Sequence, residues 1–305
     1  MGMQKTTKAK APPLKIQGIK TKLVPFIMRG VSWNEKGRWI EPFMGSGAVA
    51  FNVSSSQALL ADTNEHIIRV YKAIQSGEIN PSNVRAFLEH EGSLLRKRGE
   101  KHYYDIRDRF NEEHSPFDFL FLNRSCFNGM MRFNLSGEFN VPFCRKPERF
   151  RKAYVTRICN QIAWAKEKMA GKDWVFVCQD WHETLAQAQH GDFVYLDPPY
   201  NSRHADYYNR WHDEDSDELA IAVKQLNTGF AYSTWKENKY RSNDHLEKHF
   251  SDYSTLTKDH FYHIGSKESL RNSMEEALVL HPEYVAEEGQ DSLSVSAEKQ
   301  LDLAF

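Results

Sequence analysis

Short apolar segments alternate with helix-like segments in two parts of this chain, and a long polar stretch separates the two parts. The apolar segments lie at residues 39–44, 57–62, 174–178, 192–197, 229–234 and 276–281. Helix-like segments follow five of them, at 48–53, 65–74, 182–189, 216–226 and 241–249. This β-α alternation predicts a largely parallel sheet with helices packed on it.

The middle of the chain breaks this alternation. It is polar, aromatic and basic, and Gly129, Gly137 and Pro142 interrupt it in the manner of loops. We therefore predict an α/β fold in which one sheet domain is interrupted by an insert. The predicted divisions are a flexible lysine-rich leader at 1–13, a sheet domain at 14–80 and 171–282, an insert at 81–170 and an acidic tail at 283–305.

Charge and composition exclude some classes of protein. The net charge of −1 gives no indication of a partner, but residues 94–157 are rich in Lys and Arg. Such a region fits a surface that meets phosphates, and a solvated, salt-bridged face is an equal alternative. The 4 cysteines form no C-x-x-C pair, so the common zinc spacing is absent. No apolar run reaches the roughly 20 residues that span a bilayer, and the start has no signal-like apolar region, so we expect a cytoplasmic protein with no membrane partner.

The segment Asp197-Pro198-Pro199-Tyr200 follows an apolar strand at the end where open α/β sheets bind ligands. The amine of adenine is a poor nucleophile because its lone pair is delocalised into the ring. The Asp197 carboxylate and the Pro198 carbonyl can each accept a hydrogen bond from one N–H of this amine. Holding both hydrogens favours a pyramidal nitrogen whose lone pair is free to attack. The prolines stiffen the turn, and Tyr200 offers a flat face for a base drawn out of a duplex. A simple turn that ends a strand is the alternative.

A glycine-rich segment between a predicted strand and a predicted helix is the second candidate. It contains Phe43, Gly45, Ser46 and Gly47, and backbone N–H groups in such a turn can approach an anionic ligand. Asp62 ends the next predicted strand, where an acid reaches ribose hydroxyls in nucleoside-binding folds. A tight turn and an ordinary acid at a helix N-terminus are the alternatives for these two features.

Together these segments resemble the Dam-type (D12 class) adenine-specific DNA N6-methyltransferases over roughly residues 14–281. Six segments match in order: PLKIQGIKTKL (13–23), EPFMGSGAVAFN (41–52), LLADTN (59–64), FLFLNRSCFNGMMRFNLSGEFNVPF (119–143), FVCQDW (176–181) and VYLDPPY (194–200). The resemblance implies a Rossmann-like AdoMet-dependent methyltransferase sheet with an inserted, mostly helical DNA-recognition domain.

The resemblance also implies a cofactor, S-adenosyl-L-methionine, and no metal. Lys20 matches a lysine that contacts the methionine part, Asp62 the acid at the ribose, and Asp180 and Trp181 the pair that flanks the adenine. The full implied set is Ile16, Lys20, Phe43, Gly45, Ser46, Gly47, Asp62, Asp180, Trp181 and Asp197. Ile16 stands where the family usually has an aromatic residue, so ring stacking is not expected there.

For double-stranded DNA, the resemblance points to the segment around residues 124–145. The implied contacts are Arg124, Phe127, Asn128, Met130, Arg132, Asn134, Pro142 and Arg145. Arg132 is the expected bidentate partner of a guanine, a contact worth about 1–3 kcal/mol of discrimination. Phe127 and Asn128 match positions that fill the gap left by a flipped base. Further basic residues, Lys146, Arg149 and Arg151, are expected to meet phosphates, whereas Phe119, Phe121 and Leu122 are expected in the core.

The predicted activity is direct, in-line methyl transfer to the N6 amine of a flipped adenine. Residues 263–281 resemble adenine methylases of restriction-modification systems. Arg271 and Asn272 in this segment either contact DNA or position the last strand. This resemblance implies a cognate restriction endonuclease, and we expect a monomer. The open alternatives are methylation of adenine N6 in RNA, methylation of cytosine N4 in DNA, and a catalytically silent nucleic-acid-binding relative.

Overall fold

A computed structural model describes residues 8–200, 211–238, 241–261 and 273–287. Its centre is one sheet in the strand order β3-β2-β1-β4-β5-β8-β7, and the short β6 pairs with β5. The strands are β1 (Trp39–Glu41), β2 (Gln57–Asp62), β3 (Asp173–Cys178), β4 (Phe193–Leu196), β5 (Gly229–Asn238), β6 (Arg241–Ser242), β7 (Ser254–Phe261) and β8 (Ser273–Leu280). Strands β1 to β5 are parallel, and β8 is antiparallel to both of its neighbours. The predicted α/β class is confirmed.

The helices fall into two groups, those that cover the sheet and those between β2 and β3. They are α1 (Val24–Gly30), α2 (Ala48–Val53), α3 (Glu65–Ser76), α4 (Pro81–Arg98), α5 (Glu100–Glu113), α6 (Pro116–Ser125), α7 (Lys152–Met169), α8 (Trp181–Leu185), α9 (Asp213–Lys224) and α10 (Asp244–Phe250). Among the residues that the structure describes, none of these helices is long and apolar enough to cross a membrane.

The sheet buries both of its faces because successive side chains of a strand point in opposite directions. Trp39 and Phe193 enter the core on one face, and Ile40 and Val194 enter the core on the other. All of β4 is buried, as expected for a central parallel strand covered on both sides. The polar ends of these strands are therefore the places where side chains can act on a ligand.

Helices α4 to α7 form the predominantly helical insert that the sequence predicts. Phe119, Phe121 and Leu122 of α6 are fully buried there, as predicted. A buried polar network crosses the insert: the His102 ring lies 2.7 Å from Glu91, and Arg109 bonds to both Glu91 and Asp118. Pairing of this kind is what makes buried charges tolerable.

Several elements differ from the sequence prediction. Strand β7 was not predicted, because its sequence STLTKDHF is polar and it pairs only with β8 at the sheet edge. Strand β5 continues beyond the predicted residue 234 to Asn238, and α8 ends at Leu185 rather than at 189. A pattern of apolar residues indicates burial. It therefore misses polar edge strands, and it can extend a predicted helix into the turn that follows it.

The last residues of the expected flexible leader are held in place. The side chain of Asn52 on α2 bonds to both the N–H and the carbonyl of Lys10, each at 2.9 Å, and Gln161 on α7 donates to the carbonyl of Ala11 at 3.0 Å. Pro12 and Pro13 are buried. The leader is therefore part of the fold at least from Lys10, and the predicted boundary at residue 13 is corrected accordingly.

Candidate active site and nucleic-acid interface

The polar residues predicted for the site follow four neighbouring parallel strands. Along the sheet edge, Asp180 follows β3, Asp62 ends β2, the glycine turn follows β1, and Asp197 follows β4. Adjacent strands lie about 4.8 Å apart, so Asp62 and Asp197 are separated by about 10 Å across the edge. This row is long enough to bind an extended ligand from end to end.

The glycine turn places an open backbone surface in the middle of this row. Gly45 and Gly47 both have left-handed φ angles, 47° and 69°, which side chains rarely adopt. A Cβ at Gly45 would meet nothing within 4 Å, whereas one at Gly47 would collide with the Phe51 ring. Gly47 is thus required for the packing of α2, and the turn at Gly45 has free space beside it. Tyr71 on α3 fixes the turn from below by donating to the Ser46 carbonyl.

Asp62 bonds to the turn through backbone groups. One carboxylate oxygen accepts from the Gly45 N–H at 2.9 Å, and the other accepts from the Asn64 N–H at 2.9 Å. Burial raises the pKa of Asp62 to about 6, although both hydrogen bonds oppose that shift. The acid predicted for a ribose therefore lies directly beside the glycine turn.

Asp197 lies against Lys20, which comes from the amino-terminal segment. The Lys20 ammonium is 2.8 Å from Asp197 Oδ1, and the lysine side chain is only 5% exposed. Burial raises the pKa of Asp197, Lys20 opposes this rise, and the charge of Glu276 adds to it. Lys20 thus favours the ionised form of the Asp197 carboxylate in a site that would otherwise neutralise it.

Tyr200 completes the turn after β4, and two charged residues hold its ring. Its hydroxyl donates to Glu276 Oε2 at 2.6 Å, and the Lys20 ammonium lies 4.7 Å from its ring centroid. Glu276 belongs to β8 and is 1% exposed. The sequence analysis missed Glu276, and its only signal was an acid at the start of the apolar segment 276–281.

A second acid, to which the sequence analysis assigned no role, is Glu41, the first residue of the segment EPFMGSGAVAFN, at the end of β1. It is buried, and the Trp39 indole N–H donates to it at 2.8 Å. Burial raises its pKa to about 8, and the charge of Asp197 contributes to that rise. Glu41 is therefore mostly neutral at pH 7, which spares Asp197 a second negative charge nearby.

The remaining predicted cofactor residues lie around this row. Asp180 is half exposed and caps α8 by accepting from the Glu183 N–H at 3.0 Å. Trp181 is buried in the core on the side of Ile40, where its ring stacks on His182. Phe43 is half-buried and meets the Trp211 ring edge-on at 5.5 Å. Ile16 is half-buried against the other core.

The predicted DNA-recognition segment forms a small hairpin that projects from the insert. Phe133 pairs with Phe139 across the hairpin, and Leu135 at its tip is 99% exposed. Its base is anchored to the sheet domain, since Phe133 stacks on His66 of α3 with the ring centroids 5.2 Å apart. The hairpin is therefore a projecting element on a fixed base.

Arg132 lies on this hairpin with its guanidinium oriented by Asn140. Its Nε donates to Asn140 Oδ1 at 2.9 Å, and Nη2 donates to the Asn140 carbonyl at 3.3 Å. Phe127 is 49% exposed, and Asn128 is exposed in a left-handed conformation with φ 55°. The Phe127 N–H donates to the carbonyl of the exposed Pro142 at 2.8 Å, so two of the predicted DNA contacts are joined directly through the backbone.

Two arginines expected at DNA are instead built into the protein. Arg124 is 5% exposed, and its guanidinium donates to the Pro13 carbonyl and to Gln161 of α7. Arg149 donates to the Arg124 carbonyl at 2.7 Å and to the Tyr154 hydroxyl at 2.9 Å. Their bonds join the amino-terminal segment, α6 and α7, so the structure corrects the expectation of a DNA contact for Arg124 and does not favour one for Arg149.

The other predicted contacts divide by exposure. Met130 is half-buried against the larger hydrophobic core, whereas four of the other residues are exposed: Asn134, Arg145, Lys146 and Arg151. Arg271 and Asn272 lie outside the described residues. The three basic residues of this set, Arg145, Lys146 and Arg151, are therefore accessible to a phosphate backbone.

Comparison with known proteins agrees with this geometry. Residues 17–264 match the family described as D12 class N6 adenine-specific DNA methyltransferase. The chain is 35% identical over 167 residues to the DNA adenine methylase of Serratia marcescens, which covers 53% of this chain and 57% of that protein. It is 33% identical over 186 residues to the retron Ec67 DNA adenine methylase of Escherichia coli, covering 58% and 60%. The chain thus matches little more than half the length of these relatives.

Proposed function

From the membership of this chain in the D12 class of N6 adenine-specific DNA methyltransferases, we propose that it methylates the N6 amine of adenine in duplex DNA. The methyl donor is S-adenosyl-L-methionine. The observation that carries the proposal is the position of Asp197, which ends the row of candidate cofactor residues and faces Lys20.

The strand-end row fits this cofactor in chemistry and in order. Asp180 and the edge of Trp181 lie where an adenine would be flanked, and Asp62 offers carboxylate oxygens to ribose hydroxyls. The open backbone at Gly45 leaves room for the rest of the molecule, and Lys20 can reach a carboxylate. When bound, the cofactor would supply a methyl group attached to a positively charged sulfur. The sulfur leaves readily because it becomes a neutral thioether.

The residues of the turn Asp197-Pro198-Pro199-Tyr200, the DPPY turn, act on the target base. Asp197 accepts one hydrogen of the adenine amine, the Pro198 carbonyl accepts the other, and the Tyr200 ring stacks on the flipped base. This grip aligns the amine nitrogen for attack, so the protein contributes mainly orientation and electrostatics. Because Lys20 favours the ionised form of Asp197, the carboxylate can accept that hydrogen, and it is well placed to take the proton released on transfer.

The hairpin surface reads the duplex. Arg132, oriented by Asn140, contacts a guanine edge, and Phe127 with Asn128 fills the space that the flipped base leaves. Met130, Asn134 and Pro142 border these contacts. The exposed Arg145, Lys146 and Arg151 meet phosphates, which position the protein without reading sequence.

The test is methyl transfer with labelled cofactor, followed by nucleoside analysis of the product. Duplex DNA, single-stranded RNA and DNA that lacks adenine are compared, with Asp197→Ala as the inactive control. We expect N6-methyladenine from duplex DNA alone, and Asp197→Ala without transfer but with cofactor binding only partly reduced. N4-methylcytosine, methylated RNA or an inactive wild-type chain would support one of the alternatives instead.

We further propose that the protein acts in the cytoplasm as a monomer and protects host DNA beside a cognate restriction endonuclease. The support is the resemblance of residues 263–281 to restriction-modification methylases. Sequencing of modified adenines in cells that express the chain gives its target site. The proposed pairing requires that an endonuclease encoded in the same genome cleave that site only when it is unmethylated.

A further inference from the structure

Two histidines and one aspartate converge on the helical face of the sheet, outside the strand-end row. Asp217 comes from α9, and His245 and His249 lie one turn apart on α10. Asp217 Oδ1 is 3.3 Å from His245 Nδ1 and 2.7 Å from His249 Nε2. One ligand atom from each residue lies within 4.8 Å of the others.

We propose that Asp217, His245 and His249 bind one divalent transition-metal cation, of which Zn²⁺ is the best match. Two imidazole nitrogens and one carboxylate oxygen are ligands that Zn²⁺ prefers, at about 2.0–2.2 Å. Ligand atoms of a tetrahedral site with such bonds lie about 3.3 Å apart, and the Asp217 oxygen lies 3.3 and 2.7 Å from the two histidine nitrogens. A water molecule would take the fourth position. Histidines at i and i+4 share one face of a helix, so α10 presents both rings to the same point.

The burial of the site is better explained by a cation than by ion pairing alone. The side chains of His245 and His249 are only 8% and 7% exposed. His245 Nε2 has no hydrogen-bond partner among the described residues. The polar contact of this ring is therefore that of Nδ1 with Asp217, and its other contacts are with the rings of Tyr232, His249 and Phe250. A metal bond at Nδ1 would add a strong interaction at the nitrogen that already faces the cluster.

Lys248 is the competing cation. Its ammonium lies 2.5 Å from Asp217 Oδ2, so it occupies the carboxylate oxygen that the histidines do not use. The lysine side chain is 61% exposed, and it can move into solvent without disturbing the core. A bound metal and Lys248 therefore share Asp217, and each weakens the hold of the other.

A metal at this point would join α9 to α10. Both helices contribute to one hydrophobic core, α9 through Leu219 and α10 through Phe250, together with residues of β4 and β5. The cation has a structural role in this proposal. It takes no part in methyl transfer, so the inference stands or falls independently of the proposed function.

The test uses the full chain after chelation and dialysis, titrated with ZnCl₂ and separately with Co²⁺. We expect one equivalent to bind, tetrahedral Co²⁺ absorption bands, and a Tm rise of about 5 °C at a Zn²⁺ concentration 100-fold above Kd. Asp217→Asn and His249→Gln should each weaken Zn²⁺ binding at least about 10-fold. His90→Gln, an exposed histidine on α4, is the matched control and should bind normally.

Lys248→Met separates the metal site from an ion-pair cluster. If the proposal holds, this variant binds Zn²⁺ more tightly and gains a larger Tm rise. The proposal is overturned if the wild type binds no stoichiometric metal, or if His249→Gln and His90→Gln bind Zn²⁺ equally well. Circular dichroism of the metal-free variants identifies any that fail to fold, and for those the Lys248→Met result decides.

Discussion

Tyr200, in the turn Asp197–Tyr200, donates a hydrogen bond at 2.6 Å to Glu276, a buried acid on the antiparallel strand β8. The turn after β4 therefore depends on a strand that lies beyond β5 in the sheet. The tyrosine ring gains a fixed orientation from this bond before any base arrives. In the proposed mechanism Glu276 is a positioning residue, because it contacts Tyr200 and would act on the base only through that ring.

Loss of this bond should slow transfer without weakening cofactor binding. We expect Tyr200→Phe and Glu276→Gln each to lower kcat by about 10-fold, because misplacement of a stacking ring costs alignment. The double variant should be little worse than either single one, as expected for residues that act as a unit. Single-turnover rates and cofactor Kd measure both quantities. Glu275→Gln, on the same strand and paired with Lys236 at the surface, is the control, and losses that simply add would refute the coupling.

Lys20 should set the pH at which the enzyme becomes active. Burial raises the pKa of Asp197 and Lys20 opposes that rise, so activity falls when the pH drops far enough to protonate the carboxylate. Lys20→Met removes the opposing charge, and we expect the acid limb of kcat to move to higher pH. Lys22→Met, exposed in the same short turn, should leave the profile in place. An unmoved limb in Lys20→Met would mean that the lysine acts only in cofactor binding.

Glu41 should make the protein less stable as the pH rises. Its pKa is about 8 when folded and near 4.3 when unfolded, so between these values the folded state holds one more proton. The free energy of unfolding then falls with pH, by up to about 1.4 kcal/mol per unit. Glu41→Gln keeps an acceptor for the Trp39 indole and should flatten this dependence between pH 5 and 8. Urea unfolding at several pH values measures it, and equal slopes in the two proteins would contradict the assignment.

Arg132 and Arg145 should fail in different ways when truncated. Arg132→Ala should relax base preference at one position by about 1–3 kcal/mol, with a smaller effect on non-specific binding. Arg145→Ala should weaken binding to all sequences and reduce the salt slope by about one. Binding to a panel of duplexes at several salt concentrations distinguishes the two. A uniform loss in Arg132→Ala would mark that residue as a phosphate contact.

The sequence predicted those parts of the fold whose pattern is local. Helix α2 and strand β2 begin and end at the predicted residues. Elements that are buried on all sides consist of nearly continuous runs of apolar residues, and such runs are easy to recognise. The row of strand ends was predictable for the same reason. The edge strand β7 has no such run, because it lies at the end of the sheet beside β8 and most of its residues are polar.

Contacts between distant segments were beyond the sequence. The pairing of Tyr200 with Glu276, and the meeting of Asp217 with the two histidines of α10, depend on the topology of the sheet. Arg124 shows the opposite error, because a basic residue inside a resembling DNA-binding segment was assigned to DNA although its hydrogen bonds face inward. Charge in a sequence does not reveal which way a side chain points.

The bonds that join residues 10–15 to α2, α6 and α7 bear on any attempt to retarget this protein. Asn123 of α6 holds both backbone groups of Lys15, at 2.9 and 2.7 Å, and Lys20 follows five residues later. A chimaera that exchanges only the hairpin can keep these bonds. One that exchanges all of α4 to α7 removes the bonds to α6 and α7, and we expect it to shift the lysine that faces Asp197. An exchanged insert will therefore need the amino-terminal segment that matches it, at the positions of residues 10–15.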